Sequence, residues 1–259
     1  MHYEVHGRAA NGNGAVLLSS GLGGTGAFWQ PQLERLGDRH RVVTYDQRGT
    51  GQSAGPLPDP YSIGCMADDI IAVLDELGIG RCHFVGHALG GLVGLELALR
   101  RPARVASLVL VNAWARVDSH TERCFAVRKD LLRIGPEAYV RAQPLFLYPA
   151  PWLSRNTQRL AREHEHAVAH FQGTDTLLKR IAALQAFDAT DRLGEIGCPT
   201  LVAASRDDML VPWTASEALA AGIPGARLWL VAEGGHGFTV TEPVAFNAAL
   251  LAFLAEQEA

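Results

Sequence analysis

Short apolar runs alternate along the chain with longer stretches in which apolar residues recur every three or four positions. Ala15–Ser19 (AVLLS) and Arg41–Tyr45 (RVVTY) predict buried strands. Each feeds a glycine-bearing turn, Gly21-Leu22-Gly23-Gly24 and Asp46-Gln47-Arg48-Gly49. Ile63–Leu77 has helical spacing, with Asp68, Asp69, Asp75 and Glu76 assigned to the solvent side and Gly78 as the stop. His83–Val85 predicts a strand running into Gly86, and Ala88–Arg100 a helix rich in small residues that stops before Pro102. Val105–Val111 (VASLVLV) is a continuous apolar run but for Ser107, as suits a strand covered on both faces. Leu201–Ala204 and Ala226–Val231 predict the last strands, and a helix after Pro243 closes the chain. Repeated strand–helix units of this kind build a mostly parallel, twisted sheet flanked by helices, an α/β architecture.

One stretch breaks the rhythm. From Ala113 to about Asp191 no strand pattern occurs, and the Pro/aromatic run Gln143–Trp152 lies inside it. The stretch is too long for a plain loop. It is assigned as a helical cap, residues 113–191, inserted into a core made of residues 1–112 and 192–259.

The chain has 259 residues, 48% of them hydrophobic and 19% charged, which suits a globular core of this size. Its net charge is −4 and it has no Lys/Arg run, so neither nucleic acid nor an anionic membrane is an expected partner. The first residues lack the basic and apolar regions of a secretion signal, and the expected location is the cytoplasm. Cys65, Cys82, Cys124 and Cys198 are widely spaced without a Cys-x-x-Cys pair, and are expected to be buried free thiols. The one macromolecular partner left open is a second copy of the chain, in a homodimer.

Gly86-His87-Ala88-Leu89-Gly90 sits between a strand and a helix and matches the G-x-S-x-G nucleophile elbow except at its centre, where Ala88 replaces serine. The glycines matter because the sharp turn leaves no room for a Cβ on either side. Two further triad positions follow in the order such a site requires. Ser205-Arg206-Asp207-Asp208 comes after the Leu201–Ala204 strand, with Asp208 preferred and Asp207 the alternative. Gly234-Gly235-His236-Gly237 follows the last strand, so His236 is the candidate acid–base group. Ser19–Gly24 occupies the place of an oxyanion loop, and the backbone N–H groups of Leu22 and Leu89 are its candidate donors. Two patterns lead elsewhere. Glu163, His164, Glu165, His166 and His170 suggest a metal cluster, but Val168 stands where the H-E-x-x-H spacing needs its second His. Gly21–Gly26 lacks the lysine of a P-loop. No metal and no cofactor are expected.

These elements, with Asp46–Ser53, resemble the α/β-hydrolase superfamily over nearly the whole chain, which implies the α/β-hydrolase fold with an inserted helical cap. A narrower likeness rests on Tyr45–Gly51, Gly86–Gly90, Ala142–Ala150 and Ala169–Gly173, which resemble the RutD family, hydrolases of the Rut pyrimidine-utilisation pathway. The resemblance implies a C–N bond hydrolase in uracil catabolism that releases ammonia from a small anion, carbamate or aminoacrylate. It also implies that alanine at the elbow is the family's own residue. An alanine forms no acyl-enzyme, so His236 held by Asp208 is expected to move a proton instead. Arg48, Arg116 and Arg128 are the candidate cations for the substrate, with Arg116 favoured because it opens the cap. Two other readings stay open: a non-catalytic binding protein that kept a hydrolase pocket, and an esterase carrying a Ser-to-Ala change at position 88.

Overall fold

The computed structural model describes residues 1–7 and 14–258. Seven strands form one sheet: β1 (Tyr3–His6), β2 (Ala15–Ser19), β3 (Arg41–Tyr45), β4 (Cys82–His87), β5 (Val105–Val111), β6 (Thr200–Ser205) and β7 (Arg227–Val231). Their order is β1-β3-β2-β4-β5-β6-β7; all pairs are parallel except β1 with β3. The helices between and after the strands are α1 (Gln30–Gly37), α2 (Ile63–Glu76), α3 (Leu89–Arg100), α4 (Ser119–Ile134), α5 (Pro136–Leu147), α6 (Ala150–Arg155), α7 (Thr157–Ala169), α8 (Thr174–Ala186), α9 (Trp213–Gly222), α10 (Phe238–Thr241) and α11 (Pro243–Gln257).

The period-two alternation of the strands divides the core into two layers. Leu17, Phe84, Leu108 and Leu110 face one way, into a cluster shared with Ile70 and Leu74 of α2 and Leu92 of α3. Val16, Leu18, Val85, Val109 and Val111 face the other way, onto Leu36 of α1 and Phe246, Leu250 and Phe253 of α11. With both faces covered, the central strands can be apolar at every position.

The chain between β5 and β6 forms five helices, α4 to α8, and among the described residues its one strand-like feature is an isolated bridge between Arg116 and Asp188. Phe125, Leu177, Ile181 and Leu184 of this segment join the first core layer, and hydrogen bonds linking Gln172, Arg180 and Leu147 to the loops that follow β2, β3 and β7 put it on the sheet's C-terminal side. α6 and α7 bury none of their residues, unlike α4, α5 and α8.

Three expectations need correction. Asp69 is not on the solvent side of α2: it is buried and receives Arg48. The four cysteines are free, but Cys65 and Cys198 are only half-buried. Strand β1 carries no sequence expectation, because Tyr3 and Val5 alone are too short an alternation to stand out and none of its residues is buried; it lies at the sheet's edge, held by backbone pairing to β3. Among the described residues no helix is long and apolar enough to cross a membrane.

Candidate active site

β4 ends at His87, and the chain turns at Ala88 into α3 with φ 48 and ψ −114, a backbone conformation that a non-glycine residue adopts only under strain. The turn is fixed by a hydrogen bond from Ala88 N–H to the Val111 carbonyl (2.8 Å). It is also packed to the limit: a Cβ on Gly90 would sit 2.2 Å from the Ser19 carbonyl oxygen, and one on Gly86 would sit 2.3 Å from that of Gly90. The methyl of Ala88 is buried at the head of α3, where a serine would present its hydroxyl.

The acid–base pair follows the next two strands. His236 donates from Nδ1 to Asp208 Oδ2 at 2.7 Å, with both side chains almost wholly buried. The other oxygen of Asp208 accepts the N–H groups of Leu210 (2.8 Å) and Val211 (3.0 Å). Three donors thus hold the carboxylate, which in turn leaves Nε2 as the free nitrogen of the imidazole. Asp207 does different work: its carboxylate accepts the N–H groups of Gly235 (2.8 Å) and Gly234 (3.3 Å) and so ties down the histidine loop. The loop's far side is held by the His236 carbonyl, which accepts from Asn112 Nδ2 (2.7 Å) and His87 Nε2 (2.8 Å). Gly237 N–H reaches the Leu147 carbonyl of α5 (2.8 Å). At Gly235, φ is 69 and a Cβ would lie 2.8 Å from that same carbonyl, so both the conformation and the space require glycine.

His87 is a second buried imidazole beside the first, with ring centroids 4.7 Å apart. Burial, reinforced by the nearby His236, pushes its pKa down to about 3. It is therefore neutral at physiological pH, and its structural bond to the His236 carbonyl fixes the tautomer with hydrogen on Nε2.

The glycine loop after β2 lies against the elbow. The Asp46-Gln47-Arg48-Gly49 turn holds it: Gln47 N–H donates to the Gly24 carbonyl (2.8 Å), Gln47 Nε2 to that of Ser20 (2.7 Å), and Thr50 Oγ1 to that of Gly24 (3.0 Å). Asp46 binds the N–H groups of Gly26 (2.9 Å) and Gln52 (2.8 Å). Leu89 is the first residue of α3, where backbone N–H groups have no acceptor within the helix. Leu22, Ala88, Leu89 and His236 line one cavity of about 1300 Å³, which extends under the five-helix segment.

A family profile described as the alpha/beta hydrolase fold matches residues 14–243. The chain belongs to the α/β-hydrolase family. A protein of Variovorax paradoxus (strain S110) is 57% identical over 261 residues, 100% of this α/β-hydrolase and 97% of the relative. One of Agrobacterium fabrum is 54% identical over 255 residues, 98% of each chain. Both bear the name "putative carbamate hydrolase RutD". Among solved structures, the enol-lactonase from Burkholderia xenovorans LB400 superimposes with a TM-score of 0.89 at 28% identity, over 98% of this chain and 96% of its own. A hydrolase from Pseudomonas aeruginosa PA01 gives 0.86 at 32%, over 97% and 93%. This α/β-hydrolase is an enzyme of the hydrolase class.

The three candidate arginines part company. Arg116, favoured from the sequence, has a side chain 65% exposed, faces Asp188 at 3.7 Å, and does not line the cavity. The start of the helical segment turns it to solvent. Arg48 does not line the cavity either: both its Nε and Nη2 go to Asp69, a pairing that raises its pKa further. Arg128 does line it. It is buried, donates to Tyr139 Oη (2.7 Å) and Gln143 Oε1 (2.5 Å), and lies over the rings of Phe125, Tyr139 and Phe146 at 5.1, 5.5 and 5.8 Å. Its polar partners are neutral, which leaves its charge available to an anion in the cavity.

The histidines of α7 do not gather around a point. His166 and His170 stack with centroids 4.1 Å apart, and His170 Nδ1 bonds the His166 carbonyl (2.9 Å). Among the described residues no three His, Cys, Asp or Glu side chains are grouped to hold a metal ion. Sequence reasoning missed Asn112, His87 and Gln47 as supports of the site. Asn112 carried a weak signal: an asparagine directly after a strand suits the left-handed conformation it adopts, φ 46.

Proposed function

We propose that this α/β-hydrolase breaks the C–N bond of carbamate by proton transfer from His236, with no covalent enzyme intermediate. The observation that carries the reading is a buried His236–Asp208 pair next to an elbow whose central residue has no nucleophilic atom. The relatives' name adds the substrate. In the proposed step, imidazolium at His236 gives its Nε2 proton to the carbamate nitrogen. The C–N electron pair then leaves with nitrogen, releasing ammonia and carbon dioxide, and the histidine recovers its proton from water. The Leu22 and Leu89 N–H groups hold the carboxylate oxygens, and Arg128 supplies the cation. The five-helix segment, residues 113–191, acts as a cap over a core of residues 1–112 and 192–259.

The same proton donor suits a second substrate. Aminoacrylate is an enamine that is protonated on carbon before water adds, and the cavity has room for it. Both substrates would place the enzyme in uracil catabolism.

The test is ammonia release from freshly dissolved carbamate, and in parallel from aminoacrylate, with and without protein. Release above the buffer rate is the expected result for carbamate. Buffer-rate release from both would leave a binding protein as the better reading. Arg128→Met is expected to raise KM by roughly tenfold or more, the size of a lost hydrogen bond to a charged group, with a smaller change in kcat. An unchanged KM would remove Arg128 from the site. Ala88→Ser is expected to give a burst of p-nitrophenol from p-nitrophenyl acetate, because the histidine and the acid are already in place. A burst from the unaltered protein would mean that another nucleophile exists.

A further inference from the structure

Arg180, on α8, is fully buried, and its guanidinium reaches back to the loops after β2 and β3. Nη2 donates to the Leu22 carbonyl at 3.2 Å and to Gln47 Oε1, and Nη1 donates to the Arg48 carbonyl at 3.3 Å. Every one of these acceptors is neutral. Among the described residues no carboxylate forms an ion pair with Arg180, whereas its neighbour Arg48 has Asp69. Burial lowers the pKa of Arg180 to about 10, so it still carries its charge at neutral pH.

A buried cation without a counter-charge is costly, and such groups are normally paired. The missing partner has a natural place. Leu22, Gly23 and Gly24 line the cavity on their open side, while the guanidinium backs the same loop: a Cβ on Gly24 would come within 2.9 Å of Nη2. One layer of peptide separates the charge from the cavity, in surroundings that screen it poorly. Gln172 Nε2 adds a second donor to the Leu22 carbonyl at 3.3 Å, so two side chains of the five-helix segment fix the direction of that peptide.

We propose that Arg180 is a positioning residue for an anion site: it fixes the Leu22 loop from behind and gives it a positive charge that a small monocarboxylate in the cavity completes. This rests on reading Leu22 as part of the oxyanion loop. Beside Arg128, which lines the cavity, it assigns part of the preference for a negative charge to a residue that never touches the substrate, and it predicts discrimination between a carboxylate and a neutral amide of the same shape.

Propionate and propionamide form such a pair, and neither is turned over, so the result is independent of catalysis. Their affinities are compared by ligand-observed NMR for the unaltered protein, Arg180→Met and Arg180→Lys. The unaltered protein is expected to favour propionate by about tenfold or more. Arg180→Met lowers that preference several-fold, leaving the share due to Arg128; Arg180→Lys, which keeps the charge but loses the planar fork, lowers it less. No preference in the unaltered protein, or a folded Arg180→Met that keeps the full preference, overturns the proposal. Should Arg180→Met not fold, the unaltered protein carries the test. The Nε resonance of Arg180, assigned by its disappearance in Arg180→Lys, shifts with propionate and not with propionamide. A resonance that propionate leaves in place overturns the proposal. Retained preference together with buffer-rate ammonia release would sink the reaction proposed above and leave the anion site standing.

Discussion

His236→Ala is expected to lower catalysed ammonia release by roughly 10²–10⁴-fold, the usual contribution of a positioned general acid, while the protein stays folded. The fold survives because the loop does not hang on the imidazole. Its backbone is held by Asn112, His87, Asp207 and the Leu147 carbonyl, all of which remain. Asp208→Asn should cost less. An asparagine oxygen can keep the bonds to Leu210 and Val211, which turns its NH₂ toward His236 Nδ1. That donor opposes the imidazolium, whose Nδ1 must itself donate. Because both residues act in one proton-transfer unit, the double variant should be no slower than His236→Ala alone. Kinetics on the four proteins check this. A His236→Ala variant as fast as the parent, with an unchanged circular dichroism spectrum, would contradict the assignment.

Gly90→Ala is expected to destabilise the protein by about 3 kcal/mol or more, at the upper end for overpacking a core. The new Cβ would lie 2.2 Å from the Ser19 carbonyl oxygen and 2.7 Å from that of Ser20, and neither can swing aside as a side-chain tip could. For a domain of this size the shift corresponds to roughly 6–12 °C in Tm. Activity should fall in the folded fraction as well, because relief requires α3 to move away from the Ser19–Gly24 loop, parting Leu89 from Leu22. Gly23 offers a control on the same loop, since a Cβ there meets nothing within 4 Å. Thermal melts of Gly90→Ala and Gly23→Ala side by side test the point; equal Tm values would show that the elbow is not tightly packed.

What the sequence disclosed follows from how each feature is encoded. β2, β3 and β5 were legible to the residue, because burial on both faces leaves a short run dominated by apolar residues. The elbow and the His236–Asp208 pair were legible because glycine spacing and chain order are local properties, and the structure joins those two side chains at 2.7 Å. β1 was not, since an edge strand held by backbone bonds needs no apolar pattern. α1 and α9 were passed over; Pro31 and Pro212 stand at their starts, where proline reads as readily as a turn. The arginines show the limit most clearly. Nothing along the chain distinguishes Arg116, paired and exposed, from Arg128, which lines the cavity, or from Arg180, whose three acceptors lie more than 130 residues away.

The most direct measurement of the proton-transfer step follows the oxygen atoms. Carbamate is mixed with the enzyme in oxygen-18 water, and the first carbon dioxide released is read by membrane-inlet mass spectrometry, before hydration exchanges its oxygens. Protonation at nitrogen followed by C–N cleavage takes no oxygen from solvent, so the early carbon dioxide should be unlabelled and should form faster than in buffer. Enzyme-dependent ammonia release without early carbon dioxide, followed by carbon dioxide that carries oxygen-18 as bicarbonate dehydrates, would mean that water attacks the carbon, contradicting fragmentation driven by His236.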